Sequence, residues 1–167
     1  MNTRRLFLTL ALVATLGAAL LPATAAADDA SVFAAYTGHD AEFVKLGKQY
    51  RRADRRARKH KGGATDAQLQ AIAGIDRKIN ALTGVVVADM NGQQPSSPGG
   101  ERAKAYALQG IDLFVKGAEF DAQSCEQLIA HEVKMSDATF KKSIRAYKRA
   151  ARYSKRAAKE FRRLGLK

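Results

Sequence analysis

Apolar residues recur along most of the chain at alternating intervals of four and three, the spacing that returns side chains to one face of an α-helix. The clearest run is Phe140, Ile144, Tyr147, Ala151, Ser154, Ala158 and Phe161, flanked by Ala150, Ala157 and Leu164. Lysines and arginines fill the positions between. A disordered arm has no reason to hold one register over such a stretch, and Ala, Lys and Arg are strong helix formers. The pattern predicts a packed helix with a broad cationic outer face, opened by Ser136 or Asp137 and ended by Gly165. His39, Phe43, Leu46, Tyr50, Ala53, Ala57 and His60 repeat the design earlier, and Gly62-Gly63 stops it.

Between these two runs, Thr65 or Asp66 opens a helix whose apolar face is Leu69, Ile72, Ile75, Ile79, Leu82 and Val86. Another is expected from about Glu101 to Ala118, with Ala103, Ala107, Ile111, Phe114 and Ala118 as its stripe, interrupted at Gly117 or at Phe120-Asp121. A further segment, about Asp121 to Met135, carries Cys125, Leu128, Ile129 and Val133. The pattern leaves open whether it bends straight into the last helix at Ser136. "DMNGQQPSSPGG", residues 89–100, is rich in turn formers and reads as a flexible crossover loop between two helical hairpins. Val85 to Val87 has β propensity but sits at the end of a helical stripe. The expected fold is an all-α antiparallel bundle of four or five helices after an N-terminal signal peptide.

The leader is read from residues 1–27. A basic start, "MNTRR", precedes an apolar run from Leu6 to Leu21, then Pro22 and small residues up to Ala25-Ala26-Ala27, which predicts cleavage after Ala27. The run is 16 residues, short of the roughly 20 that a membrane-spanning helix needs. An uncleaved N-terminal anchor is the alternative; no transmembrane helix is expected in the mature chain. "TRRLFL" resembles a twin-arginine export signal, although Thr9 stands where a lysine is usual, and the leucine-rich run also suits the general secretory route. Residues 28–167 are then expected to form a single helical domain, large enough for its own core.

Charge changes the picture more than composition does. The formal net charge is +13, and +11 without Arg4 and Arg5. It is concentrated: residues 45–61 hold nine bases against Asp54, and residues 134–167 hold thirteen against Asp137 and Glu160. Residues 28–44 and 62–133 are mildly acidic. Like charges packed this densely repel one another unless an anionic partner neutralises them. Two anion-binding patches follow: Arg51, Arg52, Arg55, Arg56, Arg58 and Lys59 on the first basic helix, and Lys148, Arg149, Arg152, Lys155, Arg156, Lys159, Arg162 and Arg163 on the last.

Candidate chemistry is sparse. The single cysteine, Cys125, permits no internal disulfide and reads as a small buried apolar residue. His39 and His60 stand at opposite ends of one helix, and "HEVKM" from His131 lacks the second histidine of a zinc-protease helix. No bundle metal set, nucleophile elbow or phosphate loop is present in the sequence. Asp76, Asp112, Glu119 and Glu126 are expected to face the cationic helices as exposed ion pairs. Tyr50 and Tyr147 read as core or rim residues, and Tyr153 as a ring beside arginines. No metal, cofactor or catalytic residue is assigned. The sequence therefore points to an exported, basic, non-catalytic module that binds an anionic polymer, lipid headgroups or an acidic protein. Nonspecific nucleic-acid binding, which export disfavours, and membrane-surface activity are the alternatives.

Overall fold

A computed structural model describes residues 26–60 and 63–167. Among the described residues the chain is all-helical, with no strand: α1 (Ala26–Thr37), α2 (Asp40–Lys59), α3 (Asp66–Asn91), α4 (Pro98–Ile129) and α5 (Val133–Arg163). The expected leader lies outside the described residues up to Ala25, and the expected cleavage point after Ala27 falls in the first turn of α1. Among the described residues no helix is long and apolar enough to cross a membrane.

Local chemistry sets the helix ends. Thr65 closes a capping box: its Oγ1 accepts the Gln68 N–H at 3.3 Å, and Gln68 Oε1 accepts the Thr65 N–H at 3.0 Å. Ser97 caps α4, accepting the Gly100 N–H at 3.0 Å, with Pro98 in the first turn, where its missing N–H loses nothing. At the other end of the chain, Gly165 takes φ +79, the Leu166 N–H reaches Phe161 O at 2.9 Å, and Leu166 tucks into the core. This is a Schellman stop. The same pair of bonds ends α4, from His131 N–H to Leu128 O and from Glu132 N–H to Gln127 O. There the left-handed position is filled by His131, at φ 60, rather than by glycine.

Three boundaries differ from the sequence reading. The helices on either side of the turn-rich stretch run further into it, to Asn91 and from Pro98. The connection is therefore only residues 92–97, and it joins helices that pack directly on each other instead of crossing the bundle. Glu101–Ala118 and Asp121–Ile129 belong to one helix, continuous through Gly117 and Phe120-Asp121, and the break falls at Ala130–Glu132. Finally, α1 had no signature; among its alanines the apolar stripe is too thin to read.

α2, α3, α4 and α5 alternate in direction. As numbers rise along α4 they fall along α5: Arg102 meets Glu160, Gly110 meets Ser154, Gly117 meets Tyr147 and Ser124 meets Ser136. This pair is close because α4 presents small residues, Gly110, Gly117 and Ser124, to α5. A Cβ on Gly117 would stand 2.7 Å from Tyr147 Cδ1. Ser124 and Ser136 exchange hydroxyl-to-carbonyl hydrogen bonds at 3.1 and 2.9 Å, satisfying both hydroxyls in a buried place. As a result the buried line of α5 runs through Ser136, Thr139, Ser143, Ala146, Ala150, Ala157 and Phe161, while Phe140, Ile144, Tyr147 and Ala151 lie half-buried beside it. The main close backbone partner of α2 is α3, and that of α5 is α4; α2 and α5 meet mainly through side chains.

The apolar core has two parts. One gathers Val32, Val86, Met90, Ala103, Ala107, Ala157, Phe161 and Leu166, with Phe33 and Tyr36 of α1 packed against the Phe161 ring at 5.1 and 5.7 Å. The other gathers Ala57, Leu69, Ile72, Ala73, Ala122 and Cys125 at the opposite end. α1 is tied down by Asp29, which is 3% exposed and accepts the Ser96 N–H at 2.9 Å and the Ser97 N–H at 3.3 Å. Gly100 must be glycine for this to fit, since a Cβ there would stand 1.9 Å from Asp29 Oδ1.

Candidate functional site

All fourteen side chains of the two cationic patches are exposed. On α2, Arg51, Arg52, Arg55, Arg56, Arg58 and Lys59 follow Tyr50 toward the end of the bundle where α3 begins. On α5, Lys148, Arg149, Arg152, Lys155, Arg156, Lys159, Arg162 and Arg163 follow Tyr147 toward the end covered by α1. Tyr50 and Tyr147 stand within about one turn of the same height, since Tyr50 donates to Asp121 and Tyr147 lies against Gly117, one turn earlier on α4. The two helices run in opposite directions, so the patches diverge from that height. At 1.5 Å per residue their centres are about 20 Å apart along the bundle axis. The cations level with the α2 patch are instead Lys141, Lys142 and Arg145, also exposed.

Acidic partners reach some of these cations. Arg58 Nε donates to Asp54 Oδ2 at 2.8 Å, and Arg163 Nη1 to Glu160 Oε1 at 2.6 Å. Arg156 lies over two rings, 5.3 Å from the Tyr153 centroid and 5.8 Å from that of Tyr106, so Tyr153 packs on arginine as its neighbourhood suggested. The basic last turns of α2 and α5 also sit at the negative ends of the helix dipoles, and Asp40 and Glu42 at the positive end of α2.

The middle of the bundle holds what the sequence reading placed on the surface. Asp76 is not an exposed ion-pair partner; it is 0% exposed, on α3 between the two apolar clusters. Neither of its carboxylate oxygens accepts a hydrogen bond. Asp121 of α4, 2% exposed, accepts the Tyr50 hydroxyl on Oδ2. Burial, reinforced by the Asp121 charge, pushes the Asp76 carboxyl up to about 9. Burial and the same two carboxylates hold the Tyr50 and Tyr147 hydroxyls well above the usual phenol range. At neutral pH, Asp76 is thus a neutral acid and Asp121 is steadied by a phenol. Asp112 pairs with Lys116 of its own helix at 2.8 Å, and Glu126 with Arg77 of α3, so neither turns toward a cationic helix.

One signal in the sequence could have exposed this centre. Asp76 follows Leu69, Ile72 and Ala73 at intervals of seven, four and three, which puts it on the helix's buried line. The large apolar residues Ile75 and Leu82 drew the stripe one position aside; both are only half-buried. The histidines remain at element ends. His39 bridges Glu42 and Asp89, each at 2.9 Å, and these hydrogen bonds, that to Asp89 first, raise it above the ordinary imidazole range. Cys125 is fully buried. Among the described residues no group of three or more His, Cys, Asp or Glu side chains is arranged to hold a metal ion.

Compared with known proteins, the chain matches no family model, no curated protein and no solved structure.

Proposed function

We propose that this is an exported, non-catalytic helical-bundle protein that holds an anionic partner of the cell envelope or extracellular space through the outward faces of α2 and α5. The partner is an acidic polymer, a lipid headgroup surface or an acidic protein. The carrying observation is that all fourteen patch residues are exposed, with Arg58, Arg156 and Arg163 also engaged by neighbouring side chains. Solvent-exposed cations on rigid helices release counterions when a polyanion docks, which favours binding and makes it salt-dependent. Because the patches stand at different heights, a single long polymer spans both, or two chains are bridged. The N-terminal residues support export on sequence pattern.

The test titrates the purified protein against anionic vesicles, neutral vesicles, an acidic wall polymer and duplex DNA, each at low and near-physiological salt. The expected result is one anion bound well above the rest at higher salt. Replacing Arg51, Arg52, Arg55 and Arg56 by glutamine should lower the slope of log affinity against log salt. If counterion release governs, the drop is about 0.7–0.9 for each arginine that engages the anion. Equal, weak binding to every anion that vanishes with modest salt sinks the reading. A preference for duplex DNA would transfer it to the nucleic-acid alternative.

A further inference from the structure

At mid-height the bundle interior leaves side-chain oxygens without hydrogen-bond partners: both carboxyl oxygens of Asp76, the Asn80 amide oxygen one turn further along α3, and the Ser143 hydroxyl oxygen. Asp76 and Ser143 are 0% and 1% exposed. Ser143 lies one turn before Tyr147 on α5, between the position opposite Gly117 and the position opposite Ser124, and so at the height of Asp121 on α4. Tyr50 from α2, Asp76 from α3, Asp121 from α4 and Tyr147 from α5 thus stand together, with Asn80 one turn along α3 from Asp76 and Ser143 level with Asp121. Buried polar atoms in folded proteins nearly always find partners, and a set of oxygens this rich in acceptors calls for something positive.

We propose that this centre binds one hard divalent cation, with Asp76 and Asp121 as its charged ligands and Asn80 and Ser143 supplying neutral oxygens. Binding displaces the Asp76 proton to solvent, and the two carboxylates then match the charge of the ion. An all-oxygen set suits calcium, magnesium or manganese rather than zinc or copper, which favour imidazole and thiolate. The three histidines lie at element ends, away from the centre. The Tyr50 hydroxyl, on one oxygen of Asp121, fixes that carboxylate's orientation in the way outer partners fix metal ligands. The inference is independent of the cationic faces and stands or falls apart from them.

The experiment strips the purified protein with a chelator and adds calcium, magnesium, manganese or zinc separately. Native mass spectrometry counts ions per chain, and calorimetry gives affinity. One calcium, magnesium or manganese ion per chain is expected, accompanied by a rise in melting temperature. Asp76→Asn, nearly the same shape and neutral, should fold, melt no lower than the unsubstituted chain in chelator, and lose at least a hundredfold in affinity. Ser143→Ala should lose about tenfold, the scale for a supporting oxygen. No ion retained from any of the three salts overturns the proposal. So does a melting rise that survives Asp76→Asn, which would place the ion on surface carboxylates, or a preference for zinc.

Discussion

The outer faces of α2 and α5 and the middle of the bundle carry charge under opposite conditions. Outside, fourteen exposed cations crowd two helices, and exposed pairs such as Lys116–Asp112 add little. Inside, one carboxyl group, Asp76, keeps its proton at neutral pH because water is gone and a second carboxylate stands nearby. Counting charges along the chain finds the first region and says nothing of the second. The difference teaches that where a charge sits decides its cost, and how many there are decides what the molecule attracts.

The sharpest way to break this contrast is to titrate the interior. Asp76 holds its proton up to about 9 in the fold, against 3.8 for an ordinary aspartate. Between those values the folded chain binds a proton that the unfolded chain has lost, so stability in chelator should fall as pH rises through that window and level off above it. Asp76→Asn removes the slope. Denaturant unfolding should show the variant ahead of the unsubstituted chain at pH 8, by a margin that shrinks as pH falls until the two are nearly level at pH 4. Parallel pH profiles would mean that Asp76 is solvated after all.

A second intervention disturbs the geometry of the centre without touching its charge. Gly117→Ala puts a methyl group 2.7 Å from the Tyr147 ring, which must move. The expected loss is about 1–3 kcal/mol, the range for overpacking a tight contact. A neutral result would show that α4 and α5 separate easily. The smallest effect belongs to the outside. Replacing Arg51, Arg52, Arg55 and Arg56 by glutamine should leave unfolding free energy within about 0.5 kcal/mol, as for surface positions generally. A loss of several times that would mean that the arginine stems hold the fold, and the two regions would no longer be distinct.

The helices themselves were legible. Thr65 and Gly165 act as cap and stop, and the three-four spacing marked α2, α3 and α5 because each carries enough large apolar residues to draw a stripe. Three things were hidden, each for a physical reason. α1 is short and alanine-rich, and its burial depends on Phe161 far along the chain. Gly117 looked like a break but serves close helix approach, a fact that only Tyr147 on the facing helix reveals. The buried line of α5 follows its serines and alanines, as with Ser136 against Ser124 of α4, whereas hydropathy alone ranks Phe140 and Ile144 first. The cationic residues could be named from the sequence, but not their division into two heights. That division depends on Tyr50 and Tyr147 meeting at the same two carboxylates.

The tether between Asp29 and the turn at Ser96-Ser97 has a consequence for the order in which the chain closes. α4 and α5 are joined by three residues and align along most of their length, so their pairing needs little loop closure. The tether spans 67 residues, and the ring contact of Phe33 with Phe161 spans still more. Local pairings form early and distant ones are slow, since loop entropy is lost before the contact returns anything. α1 therefore docks after the hairpin of α4 and α5 has formed, and its departure would uncover Phe161 and Met90 while that hairpin still stands.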